Sequence, residues 1–180
     1  AVNKTTNTPR FFRRDVIQVL QCAKLFFNAH NQTLPENEKK QFRNLVGPDG
    51  GRIYDFARKK IGAGTAIPRG KSFPERVEAT ATALPSRATI EHAVACADDF
   101  GCRVDYLIPD TKNENGWEIC KVKFSTSVKR VHSFEMAFAA ILFRRAGVPI
   151  TKISVCHLNR DYRLRAGDTL ENALVKNDVT

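Results

Sequence analysis

"GWEICKVKFSTSVK", residues 116–129, is the stretch whose reading decides the fold. It reads as a strand, 117–124, running into a basic turn. Lys121 and Lys123 lie two residues apart on it, so both side chains point to the same face. A half-buried strand that aims two ammonium groups at one spot needs an explanation.

Working outward, the period of the apolar residues changes along the chain. "FFRRDVIQVLQCAKLFFNAH" (11–30) has helical spacing, and "NQTLPENEKK" (31–40) is a polar, proline-containing break. A second helix is expected over 51–61, with Ile53, Phe56, Ala57 and Lys60 on one stripe. "PERVEATATAL" (74–84) reads as a short helix with Pro74 near its start. "TIEHAVACA" (89–97), "CRVDYLIP" (102–109) and "WEICKVKF" (117–124) then read as three strands, with "DDFG" (98–101) as the first hairpin turn and "DTKNENG" (110–116) as a polar loop. "SFEMAFAAILFRRAG" (133–147) reads as a helix with Ser133 as N-cap and Gly147 just past its end. "ITKISVCHL" (150–158) is a fourth strand, and a last helix is expected to begin at Asp168. The strand before the long helix and the strand after it can pair in parallel through that helix as a crossover. The expectation is therefore a mixed sheet of four strands flanked by helices.

The 29 Lys+Arg outnumber the 19 Asp+Glu, a net charge of +10, which favours polyanionic partners over acidic ones. The positive charge gathers in "RFFRR" (10–14), "ARKK" (57–60), "KVKFSTSVKR" (121–130) and "FRRAG" (143–147). From these the candidate nucleic-acid contacts are Arg13, Arg14, Lys59, Lys60, Lys121, Lys123, Lys129 and Arg130. No apolar run approaches the roughly 20 residues of a membrane span. The five cysteines are odd in number and lack CxxC spacing. That points to an intracellular reducing compartment, the cytoplasm or an organelle matrix such as the mitochondrial one, and away from zinc. Residues 1–9 lack the apolar run of a secretory signal.

"GTAIPRGKS" (64–72) looks like a phosphate-binding Walker loop and is a decoy. That loop needs four residues between its first Gly and the Gly-Lys pair, whereas five lie between Gly64 and Gly70. An apolar strand does not precede it either.

The order of the motifs resembles the PD-(D/E)xK nuclease superfamily. The resemblance is nearest to its RecB-like branch, which includes the CRISPR-associated exonucleases, and to a related bacterial family. "DVIQVLQCAKLFF" (15–27) is similar to the family's opening helix with its QCPK stretch. "GRIYDFARKKIGAG" (51–64) resembles its G-x-x-V-x-x-x-A helix, and "CRVDYLIPD" (102–110) its V-R-x-D-x-L strand. "GWEICKVKFSTSVK" resembles W-x-x-x-E-V-K-S-S-T-S-V-K, and "ISVCHLNRDYRLRAGD" (153–168) resembles V-x-H-L-N-x-x-Y-x-R-x-G.

The resemblance implies a restriction-endonuclease-like αβββαβ core over 49–180, with an added N-terminal helical segment over 1–48. In active members an Asp and a Glu on neighbouring strands hold a divalent cation by oxygen ligands, and a Lys two residues after the Glu helps to activate water. Here Asp105 keeps the first carboxylate and Lys123 the lysine, but the position of the Glu is Lys121. On the following helix the supporting acid is Glu135, and the polar residue expected four positions later is Ala139.

The remnant site is thus Asp105, Lys121, Lys123 and Glu135, with no metal and no cofactor expected. Lys121 and Lys123 share a face because the strand has a Glu-x-Lys geometry with the Glu replaced. At 4 Å and an effective dielectric near 20, one pair of unit charges interacts by roughly 4 kcal/mol, and a divalent ion doubles this. Exchanging attraction for repulsion of that size removes a weak metal site.

The resemblance then implies a catalytically degenerate nuclease-like protein. Its expected role is that of a basic nucleic-acid-binding or structural subunit among other proteins, in a large ribonucleoprotein such as an organellar ribosome. Two alternatives stand beside it. One is an active Mg²⁺-dependent nuclease with a rearranged site. The other is a protein-interaction subunit whose charge is incidental. Cys22 matches a position that binds an iron–sulfur cluster in some relatives, but no trio of C-terminal cysteines accompanies it, so a core thiol is expected. Trp117 is expected to cover a sheet edge. The helix over 133–147 is apolar on nearly all sides, which suggests deep burial or a packed partner.

Overall fold

A computed structural model describes residues 8–31, 49–163, 165–167 and 170–180. Nearly all of the polar break at 31–40 and the helix start expected at Asp168 lie outside them.

The protein is mixed α/β, with a multi-strand mixed sheet flanked by helices. Two helices open the described chain, α1 (Arg13–Gln21) and α2 (Ala23–Asn31). They were expected as one. At Cys22 the backbone is extended, with φ −167° and ψ 115°, which interrupts the helix for one residue. Cys22 is exposed at this break instead of lying in the core. The N-cap of α1 is held from the helix side, because the Phe12 N–H donates to Asp15 Oδ2 at 2.7 Å. A carboxylate in the first turn also complements the helix dipole.

Helix α3 (Asp49–Ile61) and α4 (Phe73–Ala83) follow. Ser72 and Glu75 cap α4, with the Ser72 N–H donating to Glu75 Oε2 at 2.8 Å and its Oγ–H donating at 2.6 Å. Helix α5 is Arg130–Arg145. Its N-cap falls four residues earlier than expected, at Lys129 in place of Ser133, because the Lys129 N–H donates to His132 Nδ1 at 3.2 Å. Its end fits the expectation, with Gly147 at φ 87°.

The strands form two sheets instead of one of four strands. The larger has the order β2 (Thr65–Ala66), β3 (Ile90–Glu91), β6 (Tyr106–Pro109), β7 (Trp117–Lys123), β8 (Ile150–Leu158), β9 (Leu174–Asp178). The smaller has the order β1 (Phe11–Phe12), β5 (Phe100–Arg103), β4 (Val94–Ala97). The expected strands 89–97 and 102–109 are each split, and they form one long hairpin that passes from one sheet to the other. His92 takes φ 60° at the bend, and two backbone hydrogen bonds cross it: His92 N–H to Asp105 O at 2.8 Å and Val104 N–H to Ala93 O at 3.0 Å.

β7 and β8 pair in parallel with α5 between them in the chain, and β6 and β7 pair antiparallel. The tail expected to be helical is instead a 3₁₀ turn, Leu170–Ala173, followed by β9, which pairs antiparallel with β8. Leu174 is buried there, so the last strand covers an edge that β8 would otherwise expose.

Helix α5 packs on one face of the sheet through buried Met136, Ala139, Ala140 and Phe143, against a core that includes Ile119 and Val155. Helix α3 covers the other face through Ile53 and Ala57, against Cys120, Val122, Cys156 and Leu174. The alternation of β7 between these two layers explains its side chains. Residues 119 and 121 look toward α5, and residues 120 and 122 toward α3. Trp117 is buried under the Arg87 guanidinium, 4.6 Å from its ring centre, in a strand with neighbours on both sides and not at an edge. On α5, Phe134 and Ile141 remain exposed at 42% and 55%, so only part of its apolar surface is buried.

The N-terminal residues are tied into the same body. Phe11 pairs with Phe100 in parallel, and α1 packs on α5. No helix among the described residues is long and apolar enough to cross a membrane.

Candidate functional site

The antiparallel register pairs Tyr106 with Cys120, which sets Asp105 opposite Lys121. Asp105 is fully buried, and Lys121 is 7% exposed. Lys121 Nζ donates to Asp105 Oδ1 at 3.2 Å and to the Arg103 carbonyl at 3.4 Å. The Val122 N–H donates to Asp105 Oδ2 at 2.9 Å. Both carboxylate oxygens are therefore occupied by donors from β7. Burial pulls the Lys121 ammonium below its ordinary pKa, Asp105 pulls it back up, and the nearby charges of Arg13 and Arg103 lower it further.

The second carboxylate, Glu135 on α5, is engaged as well. Lys123 Nζ donates to Glu135 Oε2, and Arg13 Nη1 donates to the same oxygen at 2.9 Å. Asp105, Lys121, Lys123 and Glu135 thus gather between β6, β7 and α5, with Arg13 arriving from α1. Lys129 and Arg130 sit exposed at the start of α5. Arg130 lies over the Phe134 ring at 5.5 Å, and the charge of Lys129 is felt by His132. Arg14 is exposed on α1. Lys59 and Lys60 are exposed on the last turn of α3, and Lys60 bears on Cys156 in the layer opposite α5. Those two do not join the cluster.

A divalent cation does not fit this donor set. The ammonium of Lys121 stands against Asp105 where a second carboxylate would be needed. Glu135 is turned to Lys123 and Arg13, and Ala139, buried on the same face of α5, offers no oxygen. Glu118 cannot substitute, because it is buried on the opposite face of β7. There it accepts from Ser154 Oγ and pairs with Lys176 Nζ at 2.7 Å.

Residues outside the expected set surround this centre. His92, in its left-handed conformation, accepts from Arg69 Nη2 on its Nε2 at 2.7 Å. A non-glycine residue held there costs on the order of 1 kcal/mol or more. The Tyr54 ring lies edge-on to the His92 ring at 6.4 Å. Burial first, and then the charge of Asp105, raise the Tyr54 pKa, while Arg103, Arg69 and Arg13 lower it. Arg69 and Arg76 lie seven residues apart, Arg103 is distant from both, and the three form no motif. The hairpin bend that gathers them follows from a non-glycine φ that sequence periodicity does not report.

Fold and site together define a mixed α/β domain whose central strands enclose a carboxylate neutralised by lysine. Among protein-family models and curated proteins, nothing matches this chain. Among solved structures, a crystal structure of SSO0001 is similar in fold, with a TM-score of 0.51 over 94% of this chain at 10% identity. The match covers 66% of that protein's length, just under two thirds, and at this identity it shows the fold alone.

Proposed function

We propose that this chain is a catalytically degenerate PD-(D/E)xK nuclease-like protein that serves as a basic nucleic-acid-binding or structural subunit. The observation that carries the reading is the buried Asp105–Lys121 pair, with both Asp105 oxygens taken by donors from β7. A strand-borne Asp facing a next-strand Lys-x-Lys, followed by a helix with Glu135, keeps the superfamily's spacing while reversing the charge of one ligand. The surplus of positive charge supports phosphate contacts, which require no chemistry. Val19, Leu20 and Phe27 on α1 and α2, exposed at 46%, 59% and 61%, support a protein neighbour beside the nucleic acid. A large ribonucleoprotein, such as an organellar ribosome, is a setting that meets both demands.

The test is fluorescence anisotropy with single- and double-stranded oligonucleotides, run beside a cleavage assay in Mg²⁺ and Mn²⁺. Salt-sensitive binding without metal-dependent cleavage is the expected result. Cleavage that disappears in Asp105→Ala would favour the active enzyme instead. Absence of any oligonucleotide binding at low salt would favour a subunit that meets only proteins.

A further inference from the structure

A group of guanidiniums beside the Asp105–Lys121 pair is not used by that pair. Arg69 lies in the loop before α4, Arg76 on the first turns of α4, and Arg103 at the end of β5. Two hydrogen bonds tie the helix that carries Arg76 to the strand that pairs with Arg103. Thr80 Oγ1 accepts from the Val94 N–H at 3.0 Å and donates to the Arg76 carbonyl at 2.9 Å, which anchors α4 over β4. Val94 pairs with Arg103 across the hairpin. Arg103 thus sits one strand in from the edge that α4 holds, and its charge acts on Arg76.

His92 closes the group from the bend. A guanidinium has donors only, so the Arg69 contact makes His92 Nε2 the acceptor and puts the ring proton on Nδ1. That Nδ1–H is buried and has no partner, and Arg76 Nε and Nη2 are also buried without partners. Buried donors of native proteins are almost always satisfied, so three orphans within one group of cations point to an absent acceptor. Among the described residues no carboxylate forms an ion pair with Arg69, Arg76 or Arg103. The charges of Arg69 and Arg103 act on both His92 and Arg76, and Asp105 and Glu91 act on His92 more weakly in the opposite direction.

We propose that Arg69, Arg76, Arg103 and the Nδ1–H of His92 form a binding site for one phosphoryl group of a nucleic-acid strand. The site rests on the nucleic-acid reading above and gives it a located contact. Guanidinium forks match phosphate oxygens two at a time, and an imidazole N–H supplies a further donor. Convergent cations suit a phosphoryl group better than a lone carboxylate, which two of them would saturate.

The test is ¹⁵N NMR of the full chain, titrated with inorganic phosphate at constant ionic strength, with chloride as control. Single-stranded oligonucleotides with and without a 5′-phosphate are then added. The Arg76 Nε–H and His92 Nδ1–H signals are expected to shift saturably with phosphate and not with chloride, and the oligonucleotides are expected to displace it. Arg76→Met and Arg103→Met are each expected to weaken phosphate by about tenfold or more, as loss of a charged hydrogen bond requires. Arg103 is exposed, so its variant keeps the fold even where Arg76→Met lowers the melting temperature. Displacement only by the 5′-phosphorylated strand assigns a terminal phosphate, and displacement by both assigns a backbone diester; either supports the site. Phosphate that leaves both signals unmoved, or a shift that survives in the double variant, overturns it. Saturable phosphate binding with no displacement by any oligonucleotide overturns the polynucleotide assignment and leaves a site for a small phosphate.

Discussion

Lys121 Nζ stands 3.2 Å from Asp105 Oδ1, inside the protein, on the strand that also occupies Asp105 Oδ2 through the Val122 N–H. The pair neutralises itself in the buried interior. It adds little net stability, because desolvating two ions offsets their attraction, whereas removing one partner leaves an uncompensated buried charge.

Breaking the pair from one side therefore costs more than removing it. Lys121→Met and Asp105→Leu are each expected to destabilise the fold by about 3–5 kcal/mol. The double change Asp105→Leu with Lys121→Met is expected to be near neutral or stabilising by up to about 4 kcal/mol. Chemical denaturation of the four proteins of the cycle measures the coupling. A double variant as unstable as the worse single variant would mean that the pair holds the hairpin register in a way that apolar packing cannot.

The cysteines divide by exposure. Burial pushes the thiols of Cys102 and Cys120 up to about 12, and it also raises Cys96 and Cys156. Cys22 is exposed at the break between α1 and α2. A thiol reagent at neutral pH is expected to modify Cys22 quickly and the other four only on unfolding. Mass-resolved labelling against time reads this directly, and rapid reaction of Cys102 would contradict the packing of the hairpin.

Acid is expected to weaken the fold before the carboxylates titrate. Burial, and then the charges of Arg69 and Arg103, hold His92 below its ordinary value of 6.5, although Asp105 and Glu91 pull the other way. Burial and the charge of Lys123 do the same to His132. Each folded pKa lies below the unfolded one, so the unfolded chain takes up more protons as pH falls below about 6.5. The contribution is fully present above that pH and is lost as pH falls through the folded value. Melting temperatures between pH 8 and 5 are expected to drop on the acid side, and His92→Asn should flatten the drop while fitting the left-handed backbone.

Oligonucleotide affinity is expected to fall linearly with salt on logarithmic axes, with a slope near −0.9 per phosphate on duplex DNA and −0.7 on single strands. Removing one cation that touches phosphate reduces the slope by about one contact. Arg130→Ala and Lys129→Ala, at the exposed start of α5, test this with little effect on the fold. Unchanged slopes in both would move the contact surface away from that end of the helix.

The central strands were legible in the sequence because small, β-branched and aromatic residues gather in short runs and their turns carry Asp, Asn and Gly. The face shared by Lys121 and Lys123 followed from the two-residue repeat of strand geometry. Three features did not follow. One is the bend at His92, where the left-handed φ falls on a histidine and no glycine announces it. Another is β9, a five-residue strand that forms only because β8 offers an edge. The third is the early start of α5, where the acceptor comes from His132 inside the helix and not from a Ser ahead of it. The arginines at 69, 76 and 103 were invisible for a related reason. They lie on a loop, a helix and a strand, and tertiary structure alone brings Arg103 to the other two.

Restoring the carboxylate should restore metal affinity if charge is the obstacle. In Lys121→Glu the ammonium leaves Asp105, and two carboxylates then face each other across β6 and β7, with Lys123 two residues on. Such a pair repels itself without a cation and gains by binding one. Lys121→Glu is expected to be less stable than the parent in the absence of metal and to recover on addition of Mn²⁺, because a ligand of the folded state stabilises it by mass action. Adding Ala139→Gln supplies the polar group one turn beyond Glu135, at a packing cost of about 1–3 kcal/mol because Ala139 is buried. Calorimetry with Mn²⁺ on the parent, on Lys121→Glu and on the double variant decides the matter. Binding by the variants but not the parent, abolished by Asp105→Ala, is the expected pattern. Micromolar Mn²⁺ binding by the parent that disappears in Asp105→Ala would show that Lys121 yields its place to a metal, and the reading of a degenerate site would fail.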